Sequence, residues 1–85
     1  MIVGRSEQFK RDYKKLPRDI QERVDKTLRL LVTHPRHPSL QSKKMQGTEG
    51  IWEARVTQGY RITYERVSQG IFLRRVGTHD ILFRI

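Results

Sequence analysis

The sequence has no cysteine, so neither a disulfide framework nor thiolate chemistry is open to it. It has no long uncharged apolar run, and its opening residues, MIVGRSEQFK, lack the apolar stretch of a secretion signal. A cytoplasmic protein without a membrane span is therefore expected. There is no Walker loop, no GxGxxG and no HExxH, which removes three common phosphate, dinucleotide and zinc signatures. Acidic residues are scarce. Nine Asp and Glu face eighteen Lys and Arg, and most of the acids sit beside a basic residue. That pattern suits surface ion pairs rather than a catalytic carboxylate dyad or a magnesium cage. His34 and His37 lie in a proline loop without cysteines or clustered carboxylates, so no zinc site is expected there. They read as solvent-exposed loop histidines within reach of an RNA backbone. Neither a metal nor a cofactor is expected.

Positive charge is in excess. The net charge is +9 at pH 7, and twelve of the eighteen basic residues are Arg. Arg meets phosphate with a planar fork of donors, where Lys offers a point charge. A polyanion is the expected partner, with nucleic acid first and an acidic protein second. The 85 residues are enough for one domain, 1–85, with one modest core.

The hydrophobic period divides the chain in two. MIVG suits a short edge strand. Ser6 offers an N-cap, and Phe9, Tyr13 and Leu16 then fall on one helical face. Pro17 suits the first position of a second helix, whose stripe is Ile20, Val24, Leu28 and Leu31. Residues 6–33 thus predict two amphipathic helices with a tight break at Leu16-Pro17. Pro35 and Pro38 make THPRHPSL a loop. From Lys43 the period is two. KKMQG opens a strand, IWEARV and YRITYERV alternate, and IFLRRV follows. Gly77-Thr78 is expected to end that strand before the short run ILFRI.

The expected fold class is α+β: a short N-terminal strand and a two-helix hairpin packed on one face of a twisted, mainly antiparallel sheet of about four strands. The helices should cover Trp52, Ala54, Val56 and Ile62, with Tyr60 and Tyr64 also turned to the core. The opposite face would carry Arg55 and Arg61. On strict alternation Arg75 shares a face with Ile71 and Leu73, and Val76 takes the other.

His79 follows two arginines and a glycine in RRVGTHDILF, and it is the histidine best placed for chemistry. Metal-free RNA cleavage needs a base for the 2′-hydroxyl, charge stabilisation at the phosphate and an acid for the 5′-oxygen. Imidazole serves either proton transfer near neutral pH. Arginine holds developing negative charge without exchanging protons. One histidine with two or three arginines is a minimal set for that reaction.

Several stretches in order resemble the RelE/ParE toxin superfamily of bacterial toxin–antitoxin systems. FKRDYKKLPRDIQERV resembles its helical hairpin with the Leu-Pro break, and KKMQG resembles its basic-x-Leu-x-Gly stretch. WEARVTQGYRITYER is similar to its paired central strands, and RRVGTHDILF to the closing segment of its YafQ-like branch. The resemblance implies a ribosome-dependent mRNA endonuclease, silenced by a co-encoded acidic antitoxin. It implies that His79 is the general acid/base, and that Arg75 and Arg61 are phosphate ligands. It also implies that Phe83 stacks on or orients a base, and that Lys43, Lys44 and Arg55 bind the RNA backbone. Branch members often place further histidines where this chain has Lys43 and near Arg55. The base is thus left open between His79 itself, the Lys43 amine and ribosomal RNA. Two other functions fit the same resemblance: a ParE-like toxin that binds and inhibits DNA gyrase, and a non-catalytic module that keeps only antitoxin or nucleic-acid binding.

Overall fold

A computed structural model describes residues 2–83. Strand β1 spans Ile2–Arg5, and helices α1 and α2 span Glu7–Lys14 and Arg18–Thr33. Strands β2 to β5 follow at Lys43–Lys44, Ile51–Arg55, Tyr60–Val67 and Gly70–Thr78. Short 3₁₀ turns cover Pro38–Leu40 and His79–Phe83. The class is the expected one, α+β with two helices on a sheet. The sheet has five strands rather than about four, in the order β1-β5-β4-β3-β2. All pairs are antiparallel except β1 with β5.

Local chemistry sets the helix ends. The Ser6 hydroxyl accepts from the Phe9 amide at 2.9 Å and donates to the Arg74 carbonyl at 2.7 Å. One side chain thereby caps α1 and ties it to β5. Glu7 in the first turn and Arg11 and Lys14 in the last turn complement the helix dipole. Pro17 occupies the N-cap of α2 rather than its first helical position, one residue earlier than expected. Gln21 donates to the Tyr13 carbonyl at 2.8 Å and holds the break closed.

The core lies between the helices and one sheet face. Phe9, Val24 and Leu31 meet Ala54, Ile62, Tyr64, Ile71, Leu73 and Val76, with Leu40 closing one end. Ala54 and Ile62 are fully buried, as the alternation requires. Trp52, Val56, Ile20 and Leu28 are only partly buried and pack around this centre.

A register shift between Thr63 and Tyr64 inserts Arg74 into β5 as a bulge. Thr63 pairs with Arg75, whereas Tyr64 pairs with Leu73. The bulge reverses the side-chain parity of β5. Ile71, Leu73 and Val76 all reach the core, and Arg75 moves to the face of Thr63 and Arg61. The expected grouping of Arg75 with Ile71 and Leu73 is therefore corrected. Period-two reading assumes an unbroken pleat, and the extra residue breaks it.

Gly70 is the close-approach point that admits β1. A Cβ there would collide with the Ile2 carbonyl of the parallel partner. Gly70→Ala is expected to cost about 2 kcal/mol, in the range for overpacking. Hydrogen exchange should speed up at the β1 amides first, and equal protection in both proteins would contradict this.

Candidate active site

Strand β5 does not stop at Gly77, as the sequence suggested, but runs through Thr78. It pairs with β4 to the end, Gly77 opposite Arg61 and Thr78 opposite Tyr60. The closing turn His79–Phe83 then folds back against β4 and β5. Buried Ile81 anchors it over Gly77, where an added Cβ would lie 2.8 Å from the Ile81 Cγ2. The turn thus sits on the face that bears Arg61, opposite the helices. Gly77→Ala should push the turn outward, read as changed NMR shifts of the His79 ring with the core amides unmoved. An unchanged His79 signal would show that Ile81 does not set the turn's position.

Within the turn, His79 and Phe83 come together. Their ring centroids are 6.2 Å apart, edge to face, and both side chains are exposed. Phe83 is 80% exposed, which an aromatic in a free surface turn tolerates only at a cost in apolar hydration. The last two residues of the ILFRI run, Arg84 and Ile85, lie outside the described residues.

The arginines are held rather than loose. Arg61 pairs across from Arg55 on the sheet face away from the helices, where both are partly buried. Its Nη1 donates to the carbonyls of Thr57, Gln58 and Tyr60, and so clamps the β3–β4 turn. Arg75 reaches the edge of β5 beyond the end of β1 and meets Asp12 of α1. Its Nε and Nη2 donate to the Asp12 carboxylate at 2.9 and 3.1 Å, and the Val76 amide adds a third bond at 3.2 Å. Burial pushes the Asp12 carboxyl up, but the bonds from Arg75, Gln8 and Val76 outweigh it and leave it below the ordinary value. The same pairing raises Arg75.

Arg75, Asp12, Lys15, Tyr60, Thr78 and Asp80 line a cleft of about 350 Å³ beside the α1–α2 turn. His79 is not among the residues lining it. The structure therefore brings His79 to Phe83 and Arg55 to Arg61, while Arg75 sits at the neighbouring strand edge, bound to Asp12. Lys43 and Lys44 are exposed on the short edge strand β2, with the Lys43 amine 3.9 Å from Glu53. Asp12 was not singled out from sequence. It stands 63 positions from Arg75, and an Asp among Lys and Arg on a helix gives no local sign of a distant partner.

This arrangement is the α+β fold seen in solved toxins of the RelE and YafQ kind. The fold matches YafQ from E. coli strain BL21(DE3) with TM-score 0.82 at 22% identity, over 96% of this chain and 97% of that one. It matches RelE in the RelB–RelE antitoxin–toxin complex of Methanococcus jannaschii with TM-score 0.77 at 23% identity, over 96% of each chain. The YoeB/ParE toxin from Agrobacterium tumefaciens gives 0.78 at 18%, over 93% and 99%. Residues 3–83 match the family described as ParE toxin of type II toxin-antitoxin system, parDE, and the chain belongs to that family. No curated protein sequence matches it.

Proposed function

We propose that this toxin is a ribosome-dependent, metal-independent mRNA endonuclease acting in the cytoplasm. The observation that supports this most is the placement of His79. It is exposed beside Phe83 on a turn anchored by Ile81, against the face that carries Arg61 and Arg55. In this reading His79 transfers the proton, and Phe83 stacks on or orients a base next to the scissile phosphate. Arg61 and Arg75 stabilise the developing charge. Each arginine is anchored by part of its guanidinium, and Arg has five N–H donors, so donors remain for an anion. A donor fixed beforehand pays little reorganisation when charge develops. Lys43, Lys44 and Arg55 extend the cationic surface for the RNA backbone.

The cognate partner would be a co-encoded acidic antitoxin. Similar structures include the E. coli DinJ–YafQ and Methanococcus jannaschii RelB–RelE complexes. A groove of about 460 Å³ is lined by Phe9, Tyr13 and Leu28 together with four basic residues, Arg5, Lys10, Arg11 and Lys14, and two acids, Glu7 and Asp25. Apolar side chains with an excess of basic neighbours suit an acidic amphipathic segment that folds as it binds.

Expression from a repressible promoter, with mRNA ends mapped in translating cells, tests the proposal. Codon-linked breaks are expected. The family description names ParE, which supports gyrase inhibition as the second reading. Intact mRNA with blocked supercoiling would favour it, and absence of toxicity would favour a binding module without catalysis.

A further inference from the structure

The connection between α2 and β2 holds basic residues that the proposed cleavage site does not use. Arg36, His37, Gln41 and Ser42 of this connection, with Arg66 of β4, line a depression of about 290 Å³. It adjoins a second groove that shares Arg36 and Arg66 and extends to the β4–β5 turn. Both arginines are exposed, and among the described residues neither pairs with an acid. Arg66 is nevertheless fixed in place. Its guanidinium carbon lies 3.7 Å from the centre of the Trp52 ring, and Trp52 stacks on buried Tyr64. A cation–π contact positions a guanidinium without neutralising it, so its N–H edges stay available to an anion.

The loop supplies a further donor. The Nδ1 of His37 accepts from the Ser39 amide at 3.2 Å. An accepting Nδ1 places the neutral ring's proton on Nε2, which becomes a donor. The Ser42 Oγ at the edge of the depression is buried and has no hydrogen-bond partner among the described residues. Gln41 adopts the left-handed conformation, φ 45°, and turns the chain around the depression.

We infer that this depression is a second anion site, which takes an internucleotide phosphate of RNA. Two guanidiniums and an imidazole N–H, with no carboxylate among the lining residues, match phosphodiester oxygens. The site lies at the other end of β4 from His79. Arg61 and Arg66 are five residues apart on that strand and lie on opposite faces, Arg66 with Trp52 and Tyr64 on the helix side. The depression is therefore a contact separate from the one at His79, on the other side of the sheet. The inference rests on the RNA reading above.

Titration of the isotopically labelled protein with a short single-stranded RNA tests it, the RNA bearing 2′-O-methyl groups so that it cannot be cleaved. Amide signals of His37, Gln41 and Ser42 should shift together with those of His79–Phe83. Arg36→Ala changes only an exposed loop side chain. It should weaken binding several-fold and reduce the slope of log affinity against log salt by roughly 0.7, one phosphate contact on a single strand. Shifts confined to the His79 turn, with an unchanged slope in Arg36→Ala, would overturn the second site and leave the RNA reading standing. No RNA binding at any residue would also overturn the second site, whereas the cleavage reading stands or falls with the mRNA ends mapped in translating cells. Shifts at His37–Ser42 with an acidic peptide but not with RNA would assign the depression to a protein partner and overturn the proposal.

Discussion

Asp12→Ala is expected to destabilise the fold by roughly 2 kcal/mol, the scale of a lost hydrogen bond to a charged group. In a domain of this size that corresponds to a fall in Tm of roughly 8–16 °C. The carboxylate receives two bonds from Arg75 and one from the Val76 amide, at the point where β1 no longer covers the edge of β5. Its removal leaves both a half-buried guanidinium and an edge amide without their partner. The effect has a pH signature. Asp12 titrates below its ordinary value in the folded state, so its contribution is complete above the unfolded-state pKa and fades as pH falls through the lowered one. Wild type and Asp12→Asn, compared by urea denaturation, should differ most near neutrality and converge in acid. A difference that stayed constant with pH would show that the ion pair is not the source. If Arg75 also stabilises a phosphate, Asp12→Ala should reduce cleavage more than the loss of folded protein explains, because the guanidinium is no longer held.

His79→Ala is expected to lower mRNA cleavage at least a hundredfold, the contribution typical of a positioned acid or base. Its stability should hardly change, since the ring is exposed and the aromatic ring it meets, Phe83, is exposed too. That separation of activity from stability is the useful part of the experiment. A structural histidine would move the melting temperature, whereas a proton-transfer group moves the rate and its pH profile. End-mapping of mRNA with unchanged cleavage in His79→Ala would remove His79 from the mechanism. Phe83→Ala should act in the same direction but less, through substrate placement rather than proton transfer.

The sequence by itself determined the charge, the two-helix hairpin, the alternating strands and the α+β class. These are local quantities. Ser6, Phe9, Tyr13 and Leu16 mark a helix without reference to any other part of the chain, and Ala54 and Ile62 mark a buried face by alternation alone. The resemblance of RRVGTHDILF to a toxin branch likewise singled out His79, Arg75 and Phe83 before any geometry was known. Tertiary structure decided what depends on pairing. The parallel contact of β1 with β5 joins the two ends of the chain, and a short apolar run such as Ile2-Val3 holds no mark of its partner. The bulge at Arg74 reverses the parity of β5, because its register follows the best match with β4 rather than a uniform pleat. Alternation alone therefore puts Arg75 on the wrong face, and it holds no sign of the tie to Asp12. Only the folded chain placed Arg66 over Trp52 and Ile81 over Gly77, since each contact depends on where two separate segments come to rest.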